Sequence, residues 1–337
     1  MVGAIGHSNL VALGDGMNFM NLEPGTQGQV NVVNLSGGKD STATLALALA
    51  TEPRGSIVGV FADTGHEHPL TYSTIERIRE QLAPLPVVTV QADLTLALAT
   101  RRANLEKPWS DIAPERVERA KELLQPTGSP FLDLALLKGR FPSAKARFCT
   151  TILKVGPITA FVDEIIERGH WVWSWIGMRA DESPRRRFLP EFSEVRENHG
   201  LYRPLLKWRA TDAIEACRAQ SLPINPLYSL GMSRVGCMPC VMSNKAEIRQ
   251  IALRFPEVID RIREWEAMVG NVTRRGASTL LHHIKKYDNP HDTEEIRTKE
   301  NIDAQVAWSM TSRGGTQFDL FATLDPPACE SSYGLCE

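Results

Sequence analysis

The sequence lacks the features that place a protein in a membrane or outside the cell. No apolar run approaches the length of about 20 residues that a transmembrane helix needs. The first 28 residues lack the basic start and apolar stretch of a signal peptide. Neither sign of charge is in excess, because 38 Lys and Arg against 40 Asp and Glu give a net charge of -2. No overall field draws the protein to a polyanion, and we expect a cytoplasmic protein without a membrane partner.

The cysteines do not suggest a disulfide framework, because an intracellular chain of 337 residues with six cysteines rarely uses one. Cys237 and Cys240 form a Cys-x-x-Cys pair that can face one metal centre. Cys149 follows two cations and opens a predicted helix, so its thiolate is stabilised there. Zinc, an iron–sulfur cluster and a thiol pair all remain open. Cys217 is predicted to be a packed helix residue.

Apolar runs alternate with helical patterns in an otherwise ordinary globular composition, 42% hydrophobic and 23% charged. The runs predict strands at 30–35, 56–62, 87–90 and 172–176, with helices at 42–50, 70–82 and 152–168 between them. Strand, helix and strand at this spacing predict an α/β fold with a parallel sheet and helices on both faces.

The chain divides into four predicted regions. Residues 1–28 are a weakly patterned lead-in, and 29–235 form the α/β domain, with an insertion at about 93–148 over the sheet edge. Residues 236–324 carry the Cys-x-x-Cys pair and helices, and 325–337 form a mobile tail that contains two cysteines.

A glycine-rich turn separates the first predicted strand from the first predicted helix. It consists of Ser36, Gly37, Gly38, Lys39, Asp40 and Ser41. The glycines let backbone amides approach a phosphate closely, and the helix adds its N-terminal partial positive charge. The serines supply hydroxyls, Lys39 supplies a cation, and Asp40 either holds Mg²⁺ or caps the helix. The turn is not a Walker A motif, but it predicts a site for nucleotide phosphates.

A second basic segment follows the strand predicted at 172–176. Arg179 is followed by three arginines at 185–187, of which Arg186 is the central one. Guanidinium groups pair bidentately with phosphate or sulfate oxygens. The segment predicts a site for a substrate anion, and a solvated basic face is the alternative for the triplet.

Five sequence motifs lie between residues 36 and 228. They are Ser-Gly-Gly-Lys-Asp-Ser at 36–41, Phe-Ala-Asp-Thr-Gly-His-Glu-His-Pro at 61–69, Gly-Met-Arg-Ala-Asp-Glu-Ser at 177–183, Pro-Leu-Leu-Lys-Trp at 204–208 and Asn-Pro-Leu-Tyr at 225–228. Together they resemble the phosphoadenosine phosphosulfate (PAPS) reductase family of the PP-loop ATP pyrophosphatases, and in particular a PAPS-reductase-like group common in phages. The resemblance implies a Rossmann-like, adenine nucleotide α-hydrolase-like fold. It also implies that the nucleotide and its anion are bound by Asp63, Gly177, Arg179, Glu182, Ser183 and Arg186.

The resemblance also suggests roles for the cysteines. Adenylylsulfate (APS) reductases of this family hold a [4Fe–4S] cluster with a Cys-Cys pair and a Cys-x-x-Cys, and Cys149, Cys237 and Cys240 resemble that set. Residue 148 is Phe, so either a tail cysteine completes the set or one iron is open; zinc is the alternative metal. The tail around Cys336 is loosely similar to the mobile cysteine segment of thioredoxin-dependent members. It implies a nucleophile, a persulfide carrier or a fourth ligand.

Two reactions fit the resemblance. In the first, ATP adenylates a substrate oxygen, pyrophosphate leaves with the help of Lys39 and Asp40, and sulfur displaces AMP. In the second, Cys336 attacks the sulfur of PAPS or APS and sulfite is released. The Lys39–Asp40 pair favours ATP, whereas the motif set as a whole favours the reductase branch. A nucleotide-binding module without catalysis is a third interpretation.

The partners expected follow from these reactions. They are an adenine nucleotide, a sulfur donor such as a cysteine desulfurase or a thiol donor such as thioredoxin, and a second copy of the chain in a homodimer. A nucleic acid as sulfur acceptor is a hypothesis motivated by Arg274 and Arg275, Lys285 and Lys286, and the basic segment 138–154.

Overall fold

Seven strands form one mostly parallel sheet in the computed structural model, which describes residues 10–12, 28–281 and 293–312. The order across the sheet is β1-β4-β3-β2-β5-β7-β6. The five central strands are parallel, and β1 and β6 pair antiparallel at the two edges. The strands are β1 Leu10–Ala12, β2 Gln29–Leu35, β3 Ile57–Asp63, β4 Val87–Ala92, β5 Trp171–Trp175, β6 Phe192–Arg196 and β7 His199–Tyr202.

Helices cover both faces of the sheet because its central strands are apolar on both sides. Val33 and Leu35 of β2 pack on one face, and Val30 and Val32 of the same strand pack on the other. The first face carries α1 Lys39–Thr51 and α2 Pro69–Leu82, and the second carries α6 Gly156–Glu167. The predicted Rossmann-like α/β fold is confirmed.

A second body consists of helices from two distant parts of the chain. Its helices are α3 Thr95–Ala103, α4 Pro114–Leu123, α5 Pro130–Lys138, α8 Lys245–Arg254, α9 Pro256–Asn271, α10 Thr293–Lys299 and α11 Ile302–Ser309, while α7 Ala210–Ala219 packs on α1. Leu98, Leu134, Ile262 and Ile302 are fully buried in its single core. The predicted insertion therefore packs with the helical C-terminal region rather than lying alone over the sheet edge.

The structure adds strands that the sequence did not predict. Leu10–Ala12 lies within the predicted lead-in and pairs with β4. The hairpin of β6 and β7 extends the other edge. No helix in the described ranges combines the length and apolar character needed to cross a bilayer.

Candidate functional site

A cleft lies at the position in the sheet where the chain stops adding strands on one side of β2 and begins to add them on the other. From β2 the chain builds β3 and β4 on one side and later adds β5 and β7 on the other. In open α/β sheets, ligands bind at the carboxyl ends of the strands beside such a switch point. The turns that follow β2 and β5 meet there and line a cleft of about 680 Å³.

Glycines shape the turn after β2. Gly37 has a φ of +71°, a conformation that favours glycine, and a Cβ on it would lie 2.6 Å from Cγ2 of Thr71. A Cβ on Gly38 would lie 3.1 Å from the hydroxyl of Tyr228. Both positions leave little room for a side chain, so the backbone itself forms the surface that a ligand meets.

The backbone amides of this turn point at hydroxyl oxygens. The Ser36 N–H donates to Oγ of Ser41 at 3.0 Å. The Lys39 N–H donates to the Tyr228 hydroxyl at 3.0 Å, and the Gly38 N–H donates to Oγ of Ser36 at 3.4 Å. None of these three amides is directed at a backbone carbonyl. A phosphate oxygen can accept the same bonds, so the geometry is compatible with the predicted phosphate site.

Asp40 lies between two cations at this turn. Its carboxylate pairs with Nζ of Lys39 at 3.1 Å and with Nη1 of Arg179. Both cations are buried, with Lys39 4% and Arg179 6% exposed. The close approach needs Gly177, because a Cβ there would lie 2.7 Å from the Asp40 carbonyl oxygen. Asp181 also pairs with Nε of Arg179 at 3.1 Å, so two carboxylates balance the two cations beside the turn.

The predicted roles of Asp40 as a Mg²⁺ ligand or helix cap do not fit this arrangement. Its two carboxylate oxygens each pair with a cation, and Gly38 is the N-cap residue of α1. Within the described part of the chain, no group of three His, Cys, Asp or Glu residues is arranged to hold a metal ion. A Mg²⁺ ion at Asp40 would have to displace Lys39 or Arg179 from its ion pair.

The segment after β5 supplies the other residues predicted to bind an anion. Glu182 accepts a hydrogen bond from the Arg179 N–H at 3.0 Å and pairs with Arg186. All three residues line the cleft, whereas Ser183 does not. Glu182 thus positions the backbone and one guanidinium of the predicted anion site.

Asp63 ends β3 as predicted, but its carboxylate is engaged within the protein. It accepts hydrogen bonds from the Gly65 N–H at 2.8 Å, the Tyr72 hydroxyl at 2.7 Å and Nε2 of Gln91 at 3.1 Å. Glu67 lines the cleft, and Asp63 does not. Asp63 therefore holds the turn after β3, and its contact with a nucleotide stays a prediction.

A smaller cavity of about 140 Å³ contains the Cys-x-x-Cys pair. Cys237 and Cys240 line it, and Lys154, Arg234 and Val235 line both this cavity and the cleft. The two thiols therefore lie directly beside the proposed phosphate site.

The Cys237 thiol is surrounded by polar groups. Its Sγ lies 3.5 Å from Oε1 of Glu67 and 3.5 Å from Oγ1 of Thr64, and Nζ of Lys154 lies 4.0 Å from the same Glu67 oxygen. Burial raises the pKa of Cys237 to about 12, although Lys154 acts in the opposite direction. Cys237 in turn raises the pKa of Lys154. At neutral pH the pair is therefore a thiol and an ammonium.

Cys149 approaches the same place from the segment before α6. Burial raises its pKa, with a further contribution from Cys240, while Lys154 lowers it. Lys154, Cys237 and Cys240 line one cavity, and Cys149 packs against the same core as Cys240. Among the described residues, no three His, Cys, Asp or Glu side chains are arranged to hold a metal ion, so the cluster and zinc both stay predictions. Thiols are the donors that iron–sulfur clusters use.

The segment after β3 holds the Cys-x-x-Cys loop in place. The Met238 N–H donates to the His66 carbonyl at 2.8 Å, and Nε2 of His66 lies 3.0 Å from the Pro239 carbonyl oxygen. The imidazole stacks on Phe131 with ring centroids 4.2 Å apart. Burial lowers the pKa of His66 to about 3, so the ring is neutral and donates to Pro239.

Several residues of the site were not selected individually in the sequence analysis. Glu67 and Tyr228 appeared only inside motifs, and Lys154 appeared only as part of a basic segment. Cys217 lies buried in α7 with its Sγ 3.6 Å from the Lys39 carbonyl oxygen, which confirms a packed helix residue. Cys336, predicted to be catalytic, lies outside the described residues.

Comparison with known proteins identifies the family of the chain. Residues 30–243 match the phosphoadenosine phosphosulfate reductase domain. A 37.8 kDa protein of the gpa 5' region of Escherichia phage 186 is 41% identical over 91% of this chain and 97% of its own length. The nin region protein ORF290 of Escherichia phage lambda is 33% identical over 49% of this chain and 55% of that protein. Adenosine 5'-phosphosulfate reductase 1 of Bacillus subtilis is 27% identical over 54% of this chain and 61% of that enzyme. The chain therefore belongs to the phosphoadenosine phosphosulfate reductase family.

Proposed function

We propose that this protein is an enzyme that uses ATP to activate an acceptor for sulfur transfer. The observation that carries the proposal is the common wall of the two cavities. Lys154, Arg234 and Val235 line both the cleft at the phosphate turn and the cavity of Cys237 and Cys240. A nucleotide bound by its phosphates in the cleft lies beside the thiols, so both can act on one substrate.

The first step of the proposed reaction is adenylation. A lone pair on the acceptor oxygen forms a bond to the α-phosphorus of ATP, and pyrophosphate leaves with the electron pair of the bond that breaks. Lys39 and Arg179 lie where they can neutralise the charge that develops on pyrophosphate. Asp40 orients both cations by pairing with each of them.

The second step replaces oxygen by sulfur. A persulfide donor, such as a cysteine desulfurase, is first reduced by a dithiol partner such as thioredoxin, which becomes a disulfide and releases hydrosulfide. The hydrosulfide sulfur then attacks the activated carbon and loses its proton, and AMP leaves with the acceptor oxygen. We propose that Cys149, Cys237 and Cys240 hold a [4Fe–4S] cluster beside the cleft. When bound, such a cluster supplies an iron without a protein ligand that can carry sulfur. Lys154 stabilises negative charge on the surrounding sulfur atoms.

The second candidate function is the reduction of APS or PAPS. It is favoured by the similarity to adenosine 5'-phosphosulfate reductases of Bacillus subtilis and Geobacillus kaustophilus, at 27% and 25% identity. A cysteine thiolate would attack the sulfonyl sulfur, and the nucleotide would leave with the electrons of the sulfur–oxygen bond. A reduced thiol partner such as thioredoxin would then release sulfite.

The experiment that tests the proposal is a comparison of products. Protein purified without oxygen is offered ATP, APS and PAPS separately, with sulfide and total RNA or DNA as acceptor, and pyrophosphate and sulfite are measured. We expect pyrophosphate from ATP. Sulfite without pyrophosphate would identify a reductase, and nucleotide binding without either product would identify a module that has lost catalysis.

Lys39→Ala is the decisive variant for the phosphate turn. We expect it to lower pyrophosphate release by about 100-fold or more, because a cation aimed at the leaving group is lost. Lys121→Ala is the matched control, since Lys121 pairs with Glu106 and Glu118 on the surface of α4. Unchanged release in a folded Lys39→Ala protein would remove Lys39 from the mechanism.

A further inference from the structure

A third cavity, of about 480 Å³, shares no lining residue with the cleft or the thiol cavity. Two segments that are distant in sequence form most of its wall. One is 139–145, which follows α5, and the other is 273–279, which follows α9. Neither is part of the predicted nucleotide site, so the cavity needs its own explanation.

Positive charge dominates this third cavity. Arg140 and Lys145 come from the first segment and Arg275 from the second, and Glu300 is the acidic residue of the lining. Ion pairs formed among the described residues involve none of these three cations. Arg274 differs from its neighbour, because it pairs with Asp111 at 2.6 Å. The lining therefore carries an excess of two positive charges although the whole chain has a net charge of -2.

The two basic segments are fixed relative to each other by Arg101. Its guanidinium donates to the Val272 carbonyl at 2.8 Å, just before the second segment. It also donates to the carbonyls of Leu136 and Leu137, just before the first. Because both walls are held by one half-buried side chain, binding need not order the backbone that carries the three exposed cations.

The lining suits phosphates rather than a base. Ser143 and Ser278 add hydroxyl groups to the cations, and cations and hydroxyls are groups that contact a nucleic-acid backbone. Phe141 is the aromatic residue of the lining, but it is 3% exposed and cannot stack on a base. Recognition here is therefore independent of sequence.

We infer that this third cavity binds the sugar-phosphate backbone of a nucleic acid strand. The segment that carries Arg140 and Lys145 runs on to Cys149, which packs against the same core as Cys240. A strand anchored at the cavity is thus tethered by the same segment that reaches the thiol site. The inference deepens the proposed function by naming the class of acceptor, and it rests on that function for the chemistry but not for the binding.

Binding is tested with the full chain and fluorescently labelled single-stranded DNA and RNA of one sequence. Fluorescence anisotropy is measured between about 50 and 200 mM salt. The test variant combines Arg140→Gln, Lys145→Gln and Arg275→Gln. We expect at least one of the two strands to bind the unaltered protein. In the variant, the slope of log K against log salt should fall by about 2, because each lost phosphate contact removes about 0.7 for a single strand.

The matched control is the double variant Asp111→Asn and Arg274→Gln, which removes a neighbouring exposed ion pair without changing the net charge. It should bind the strand as the unaltered protein does. Equal affinity and equal slope in the triple variant, or no salt-dependent binding of either strand to the unaltered protein, would overturn the inference. Displacement of the strand by equimolar phosphate would identify a small-anion pocket instead. ATP affinity measured on the same samples tests the proposed function separately, because the third cavity is apart from the cleft.

Discussion

At the residue scale, the chemistry of the site depends on the surroundings of the Cys237 thiol. With its pKa raised to about 12 by burial, Cys237 keeps its proton at neutral pH and is a poor free nucleophile. A metal removes that proton, because a coordinating thiol is deprotonated outright. The environment thus makes Cys237 a poor attacking group at neutral pH, and its role as a cluster ligand stays a proposal.

Replacement of Cys237 by alanine tests this role. In protein purified without oxygen, we expect Cys237→Ala to lose most of its bound iron and the brown absorption of a cluster, because only two of the three thiol ligands remain. Cys217→Ala is the control, since Cys217 is a buried thiol of α7 that does not line the cavity of Cys237 and Cys240. Iron content and the absorption spectrum are the measurements. Full iron in Cys237→Ala, or an iron-free unaltered protein, would contradict the cluster proposal.

The residues of the site differ in how far the sequence predicts them. Lys39, Arg179 and the cysteines are chemical types that bind anions or metals, so composition and spacing are enough to select them. The pairing of Asp40 with Arg179 joins turns after two different strands, and only the sheet order brings those turns together. The sequence does not indicate a role for Glu67, because that role depends on its contact with Cys237, in a loop more than a hundred residues away.

At the element scale, α9 is attached to the end of the described chain by one buried carboxylate. Glu266 accepts hydrogen bonds from the Thr279 hydroxyl at 2.8 Å, the Leu280 N–H at 2.9 Å and the Ile302 N–H at 2.8 Å. Burial raises the pKa of Glu266 to about 7, against three hydrogen bonds that lower it. The protonated form is therefore favoured in the folded state.

Glu266 should make stability depend on pH. Because its folded pKa lies above the ordinary value of 4.5, its contribution is complete below pH 4.5 and is lost as the pH rises through 7. That loss is up to about 3 kcal/mol in the free energy of unfolding. Glu266→Gln cannot titrate, so urea unfolding at pH 5, 6 and 7 should show a flatter profile. At pH 5 the variant should be less stable than the unaltered protein by about 1–3 kcal/mol, because the amide has one acceptor fewer, and this difference should shrink toward pH 7.

The exposed Glu264, on the same helix, provides the control for that experiment. Glu264→Gln should follow the unaltered protein at each pH. An identical slope in all three proteins would show that Glu266 does not titrate in this range.

The strands whose side chains are mostly buried were predictable from the sequence. The strands β2 to β5 were predicted to within two residues at each end, because each is an apolar run packed on the sheet. The strand β6 is mostly exposed and contains Glu194 and Arg196, so its pattern resembles a loop. The three residues of β1 gain their conformation by pairing with β4, which no local pattern reveals.

At the scale of the whole molecule, the sheet and the helical body are separate structural parts. The chain does not complete one of them before it begins the other. Residues 95–138 leave the sheet after β4, and 245–312 follow its last strand, yet they share one core. Periodicity detects the helices singly, but it does not tell which of them pack together. Arg101 connects the two parts, since it bonds to carbonyls at the end of α5 and after α9.

We expect Arg101→Gln to loosen both parts of the helical body together. The shorter amide cannot reach three carbonyls, and leaving buried acceptors unpaired costs about 1–3 kcal/mol. Hydrogen exchange followed by mass spectrometry should show faster exchange in 130–138 and in 256–271, with the central strands unchanged, because regions open as cooperative units. Arg102→Gln, at the exposed neighbouring position, should match the unaltered protein. Faster exchange in 130–138 alone would mean that the two parts open independently, despite the core that they share.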